Sequence, residues 1–562
     1  MRRGYVLLGA LLAALLLAVF ATTPPGARGV TASAATEFSS ARAMLDVRQI
    51  ASSPHPTGSA ENARVRGYIA GRMAMLGMEV STQQGLVGPR GTAKLNRWTG
   101  RSDPPPVLTN VIGVLPGTDR SLPAVLLMAH HDTVWGSPGA ADDTTGIAVS
   151  LEVVRALRER GPQKRDLIVL ATDAEELGLE GAKLFFAEHP LRQNVGTVIN
   201  MEARGGGGRT TLFQTSAQNG DAVALYADAV ARPGASSLSA YVYSVLPNDT
   251  DLTPVLAGPY TAYNFAFIGR SGLYHSPKAT PERLDRGSVQ DMGGQVLDLA
   301  AALLAAMQMP GRAPDRVFFD LFGLTTITYP VWLGWGMLAL GAGGCLAALR
   351  GGALREIGGG AGRTVALLLG SGALITALNV VSMGTGKPDY YDRLAAIPRL
   401  EAMALLGGIA AFIAVMGKGS GSRAASSGAL LPLLLLALAA QAIAPTAAYV
   451  LVLPVMLGGI ALALADGDRA VAIHGVVAAL VTGHMLALGH QLMQGVGPTM
   501  AGAAALPLTI AAVTVLPLWT PLPQRIALRA VGALALAGLA VALWVRLDAP
   551  ADTIAAYADT KS

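Results

Sequence analysis

Cysteine is almost absent from this chain of 562 residues: Cys345 stands alone, inside an apolar run. One cysteine excludes an intrachain disulfide and a cysteine metal cage, so a metal site here must draw on histidine and carboxylates. Charge is scarce as well, at 14% of residues against 52% hydrophobic. Soluble domains carry about 25% charged residues, so the chain is part membrane protein. Blocks of Lys/Arg interleaved with aromatic residues are also lacking. The formal net charge of +5 therefore does not point to nucleic acid, which is excluded as a partner.

What is present falls into three parts. "MRRGYVLLGALLAALLLAVFATTPPG" sets two arginines before an apolar run of bilayer length, which predicts a transmembrane anchor over residues 1–22 that starts in the cytoplasm. Small residues in "VFA" and "ASA" suit a signal-peptide cleavage site, but the second lies far from the apolar core, and an uncleaved anchor is the reading adopted. Residues 36–310 have the composition of a soluble α/β domain. "AVLLMA", "DLIVLAT" and "GTVIN" read as buried strands, and "TTGIAVSLEVVRALRERG" as a helix ending at Gly161. Alternation of this kind predicts a mainly parallel mixed sheet flanked by helices, with its site at the carboxyl ends of the strands. From 325 to 546 follow apolar segments near 326–349, 364–383, 400–416, 428–444, 446–465, 470–490, 499–518 and 526–546. These predict a polytopic α-helical membrane domain of about eight spans. An exoplasmic soluble domain would put Arg350, Arg355 and Arg363, then Lys418 and Arg423, then Arg469, then Arg525 and Arg529 in cytoplasmic loops. That is the positive-inside pattern, and it leaves the acidic tail 547–562 exoplasmic.

Histidine is concentrated where chemistry is expected. The chain has eight, and two stand together in "AHHDTVWGSPGAADDTTG". His130 directly follows a strand, and Asp132 is placed to hydrogen-bond the imidazole nitrogen that a metal leaves unused. Asp142 and Asp143 precede a helix start, where a carboxylate is equally at home as a cap. Beyond "DLIVLAT" come Glu175 and Glu176, beyond "GTVIN" comes Glu202, and "SGLYHSPKATPERLD" carries His275. Singly, these are a solvated helix start, a loop charge and a loop histidine. Delivered together to one sheet edge, they make an oxygen- and nitrogen-rich site suited to zinc or a similar divalent ion.

The order "PHPTGS", "HHD", "GAADDTTG", "DAEELGLEG", "NMEA" and "YHSPKATPERLD" closely resembles zinc-dependent peptidases of the M28 family. The combination of a soluble domain with a polytopic one resembles the family's membrane-bound endoplasmic reticulum metallopeptidase (Fxna-like) branch. The resemblance implies a zinc exopeptidase-like fold over roughly 37–310 and two Zn2+ ions, with His130 and Glu202 on one, Glu176 and His275 on the other, and Asp142 bridging. Many soluble relatives have Asp where this chain has Glu202. His131, between His130 and Asp132, is a neighbour lining the cleft. The resemblance further implies Glu175 as general base, a metal-activated water as nucleophile, Tyr274 as donor to the oxyanion, and Asp143 shaping the bridge through a cis peptide bond. Expected partners are a peptide substrate and the lipid bilayer. The expected activity is that of an aminopeptidase facing the periplasm of a bacterium or the lumen of a eukaryotic compartment. Alternatives are carboxypeptidase-like or aminoacyl-transfer use of the same site, or a membrane scaffold or transporter with a non-catalytic domain.

Two further features enter as expectations. Asp251 is expected to shape the cleft. His474, His484 and His490 do not share one helical face at 100° per residue, so they are expected to hydrogen-bond between helices rather than line a transport path.

Overall fold

The apolar runs become strands of one seven-stranded sheet in the computed structural model, which describes residues 2–246, 248–350, 352–385, 389–417, 422–464 and 467–548. Lys418 and all of the predicted tail except residues 547 and 548 lie outside them. In chain order the strands are β1 (Glu79–Leu86), β2 (Val107–Leu115), β3 (Ala124–His130), β4 (Leu167–Thr172), β5 (Val195–Gly205), β6 (Thr210–Thr215) and β7 (Thr261–Gly269). Their spatial order is β1-β2-β4-β3-β5-β7-β6. The four central strands β4, β3, β5 and β7 are mutually parallel, while β1, β2 and β6 join antiparallel at the edges. This is a mixed sheet with a parallel centre, the arrangement that collects strand carboxyl ends on one edge.

Packing follows the two-residue period of an extended chain. Along β3, Val125, Leu127 and Ala129 belong to one apolar cluster with helices Ser40–Ile50, Thr144–Glu159 and Arg286–Ala305. Leu126 and Met128 belong to a second, with Phe185, Leu252 and Val255 on the opposite face. Successive side chains point to opposite faces, so a strand covered on both sides is apolar throughout, as "AVLLMA" is. Helix Thr144–Glu159 is capped by Asp143, whose carboxylate accepts the Gly146 amide at 3.0 Å. A Cβ on Gly146 would lie 2.7 Å from the Ala129 Cβ, so only glycine lets the cap sit this close to β3. The helix ends just before Gly161, whose φ is +99°.

One sequence expectation needs correcting. Glu202 does not lie beyond its strand, because β5 continues to Gly205. The cause is unequal pairing: β3 accompanies β5 only as far as Asn200, whereas β7 follows it to Gly205. Glu202 is thus held by one neighbour and open on the other side, at the crevice edge.

Contacts divide the chain into two units, one of Thr23–Thr328 with Asp389–Ala395, the other within Met1–Thr22, Tyr329–Pro388 and Ala396–Pro550. The second is helical. Among the described residues, six of its runs, including Arg3–Thr22, Leu354–Met383 and Gln524–Leu547, are long and apolar enough to cross a membrane by length and composition. Leu333–Leu349 and Tyr449–Leu464 are shorter apolar helices. These two pack through glycine: a Cβ on Gly341 would meet the Met456 Cα at 3.0 Å, the close backbone approach that small residues permit between membrane helices. His490 contacts Glu401 at 2.9 Å, and Gln494 donates to the same carboxylate at 3.0 Å. His474 instead approaches the Ala470 carbonyl of its own helix at 2.7 Å.

Candidate active site

Four strands and the loops that follow them deliver the site. His130 closes β3, Glu175 and Glu176 follow β4, Glu202 lies on β5, and His275 follows β7 after a short 3-10 turn. Two of the loop residues leading there have unusual backbones, Ala174 at φ 58° just before Glu175 and His275 itself at φ 56°. Non-glycine residues rarely adopt this region, and they persist in it only when surroundings enforce it. The Asp142–Asp143 peptide is cis.

Asp142 is the meeting point. Its Oδ1 lies 3.1 Å from His130 Nε2, and its Oδ2 lies 3.2 Å from His275 Nε2. Glu176 Oε1 is 2.9 Å from the same His275 nitrogen, and Glu202 Oε2 is 4.0 Å from His130 Nε2. The donors fall into groups whose atoms lie within 4.8 Å of one another: His130, Asp142 and Glu202; Asp142, Glu176 and His275; and His130, Glu175 and Glu176. The first two share only Asp142, one oxygen for each histidine.

Burial makes this crowd of carboxylates electrostatically demanding. Desolvation, with Asp142 and Asp251 nearby, pushes the Glu202 carboxyl up to about 8 against the opposing pull of His130. Burial and the neighbouring Glu176, Glu202 and Asp251 hold Glu175 well above the usual range. Asp143 is raised by burial and Glu202. Asp142 goes the other way: burial opposes ionisation, but hydrogen bonds to His130 and His275 outweigh it and keep the carboxylate charged. Such a cluster favours added positive charge, and two divalent ions would set four charges against the four carboxylates Asp142, Glu175, Glu176 and Glu202. Oxygen and imidazole donors without sulfur fit zinc or a similar ion.

A polar layer supports the donors, and here the expected role of Asp132 shifts. His130 Nδ1 lies 2.9 Å from the Asp132 backbone carbonyl and 3.6 Å from its carboxylate. The carboxylate instead accepts the amides of Glu175 at 3.0 Å and Glu176 at 3.2 Å, so Asp132 orients both the histidine and the acidic loop. Thr57, from "PHPTGS", lies within hydrogen-bond distance of Asp132 and Asp173. Asp173 in turn accepts the amides of Thr109 and Ala174. Asp173 was not legible as a functional residue; its signal was only its place beside "AEE". His131 turns away from the donors, with Nε2 3.1 Å from the Thr109 carbonyl and Nδ1 3.4 Å from Asn62. Tyr274 stacks on His275 with ring centroids 3.7 Å apart. Burial and the negative charge of Asp142 and Glu176 keep its hydroxyl protonated. Asp251, fully buried, accepts a hydrogen bond from Thr172 at the end of β4.

Part of the chain is similar to known proteins. Residues 110–300 match "Peptidase family M28". The chain is 31% identical over 312 residues to "Endoplasmic reticulum metallopeptidase 1" of Rattus norvegicus, covering 53% of this chain and 35% of the relative. It is 31% identical over 306 residues to "Vacuolar membrane protease" of Yarrowia lipolytica, covering 51% and 30%. The chain thus spans about a third of the length of these curated relatives. Among solved structures, the aminopeptidase from Aneurinibacillus sp. strain AM-1 aligns with TM-score 0.40 and 15% identity over 50% of this chain and 98% of that one. The segment that matches the peptidase family M28 includes β2 to β7 almost whole and every donor described above.

Proposed function

We propose that the chain is a membrane-anchored dizinc metallopeptidase that cleaves peptides from their free amino end. The observation that carries this reading is the pair of donor groups joined at Asp142. His130 and Glu202 would hold one ion, Glu176 and His275 the other, and Asp142 both. Bound zinc polarises a scissile carbonyl and lowers the pKa of water toward neutrality. Glu175, outside the two groups that share Asp142, takes a proton from the attacking water and returns it to the departing nitrogen. Tyr274, kept protonated, is placed beside His275 to donate to the developing oxyanion. Asp251, raised only to about 6 by burial, lies near Glu202 and is largely ionised at neutral pH, so the site stays acidic after two ions bind. An incoming ammonium group is thereby favoured over a carboxylate.

Zinc content and hydrolysis of paired free-amino and N-acetylated peptides test this. Zinc near two per chain with cleavage of only the free-amino set is expected. Trimming of acetylated peptides from the carboxyl end would establish a carboxypeptidase instead, and zinc without hydrolysis of either set would turn the site to aminoacyl transfer or binding.

In this reading the peptidase domain faces the exoplasmic side, supported by the arginines that flank alternate ends of the apolar sequence segments. Ser102 is exposed and Cys345 is buried, so Ser102→Cys offers one accessible thiol. It should react with a membrane-impermeant maleimide in intact cells or, for an internal membrane, only once the lumen is opened. Labelling from the cytoplasmic face would reverse the topology.

A further inference from the structure

The two histidines of the site are oriented by different means. For His130 the partner of Nδ1 is the carbonyl of Asp132, two residues along the same loop. For His275 it is the hydroxyl of Tyr391, at 3.1 Å. Tyr391 comes from Asp389–Ala395, a segment that lies in the chain between the apolar helices Leu354–Met383 and Ile397–Met416 yet belongs by its contacts to the peptidase unit.

Independent features hold this segment where it is. Asp389 accepts the amides of Tyr391 at 2.8 Å and Asp392 at 3.0 Å, shaping the turn that starts helix Tyr390–Ala395. Arg204, two residues beyond Glu202, donates to the Tyr390 hydroxyl, and its guanidinium lies 5.8 Å from the centre of that ring. Gly272 packs so closely that a Cβ there would lie 2.8 Å from the Ala395 Cα. Tyr391 itself is 1% exposed, and its ring centroid is 5.9 Å from His275.

His275 Nε2 faces Asp142 and Glu176. A neutral imidazole ligating through Nε2 carries its proton on Nδ1, which needs an acceptor, and the identity of that acceptor fixes the tautomer and the ring angle. We propose that Tyr391 is a positioning residue for the metal position formed by His275 and Glu176, its hydroxyl oxygen accepting from His275 Nδ1–H. It makes that position, and not the one at His130, depend on a segment strung between membrane helices. This rests on the dizinc reading above.

The test is zinc affinity of the full-length protein in detergent, by competition with a chromophoric chelator, together with the visible spectrum after cobalt substitution. Tyr391→Phe should weaken one of two ions by about 10–100-fold, shift the cobalt bands of that ion alone, and leave the other ion and the metal-free melting temperature unchanged. Tyr390→Phe should alter neither ion. Unchanged affinity for both ions in Tyr391→Phe would overturn the proposal. Equal weakening of both with a lowered melting temperature would overturn it too, since that is loss of packing. A wild-type protein binding fewer than two ions would defeat the dizinc reading itself, a result distinguishable from either.

Discussion

Glu175→Gln is expected to lower peptide hydrolysis by about 10²–10⁴-fold, the contribution of a positioned general base, while zinc stays near two per chain. Glutamine fills the same volume and cannot take a proton. Retention of metal is expected because Glu175 stands outside the two groups that share Asp142. Its amide accepts no new role either: the Glu175 N–H already donates to Asp132, and that bond is untouched by the side-chain change. Steady-state kinetics on a free-amino peptide with metal analysis of the same sample separates the possibilities. Loss of activity together with zinc would make Glu175 a ligand, in line with its place beside His130 and Glu176. Retained activity would remove it from the mechanism.

Asp142→Asn carries the second large effect. The carboxylate turns one oxygen toward each histidine, at 3.1 and 3.2 Å, and an amide offers one oxygen, uncharged, with an NH2 in place of the other. One of the two histidines would then face a donor rather than an acceptor, and the buried cluster would lose a carboxylate that its hydrogen bonds keep charged. Zinc is expected to fall from near two to one or fewer per chain after dialysis, and hydrolysis to background. Two tightly held ions in this variant would show that the groups at His130 and His275 are independent of each other.

The parts of the site that could be read beforehand are those carried by local pattern. His130 ends a run of seven buried residues, and such runs announce a strand and its carboxyl end. Glu175, Glu176 and His275 were legible for the same reason, as polar residues just past apolar segments, and the resemblance to a known motif order sorted them into roles. Asp132 was placed near His130 correctly in sequence, but its carboxylate serves the amides of the acidic loop. Glu175 of that loop is 43 residues from Asp132 and is brought to it by the parallel pairing of β3 with β4, whose register no local pattern announces. Glu202 was set one step too far out because the length of β5 is decided by β7, a strand about 60 residues later. Tyr391 was not legible at all: it sits in a loop of mixed charge between apolar segments, and 116 residues separate it from His275.

By itself the sequence determined the division of the chain into an apolar part and an ordinary one, the existence of the buried strands, and the kinds of donor on offer. Those follow from transfer free energies and side-chain periodicity, which act residue by residue. Only the tertiary structure decided that β3 lies between β4 and β5, that the Asp132 carboxylate serves the acidic loop, and that the two histidines are held by partners of different origin. Each of these requires segments remote in the chain to be closed onto one another. The contacts that favour such closure exist only once the sheet has formed.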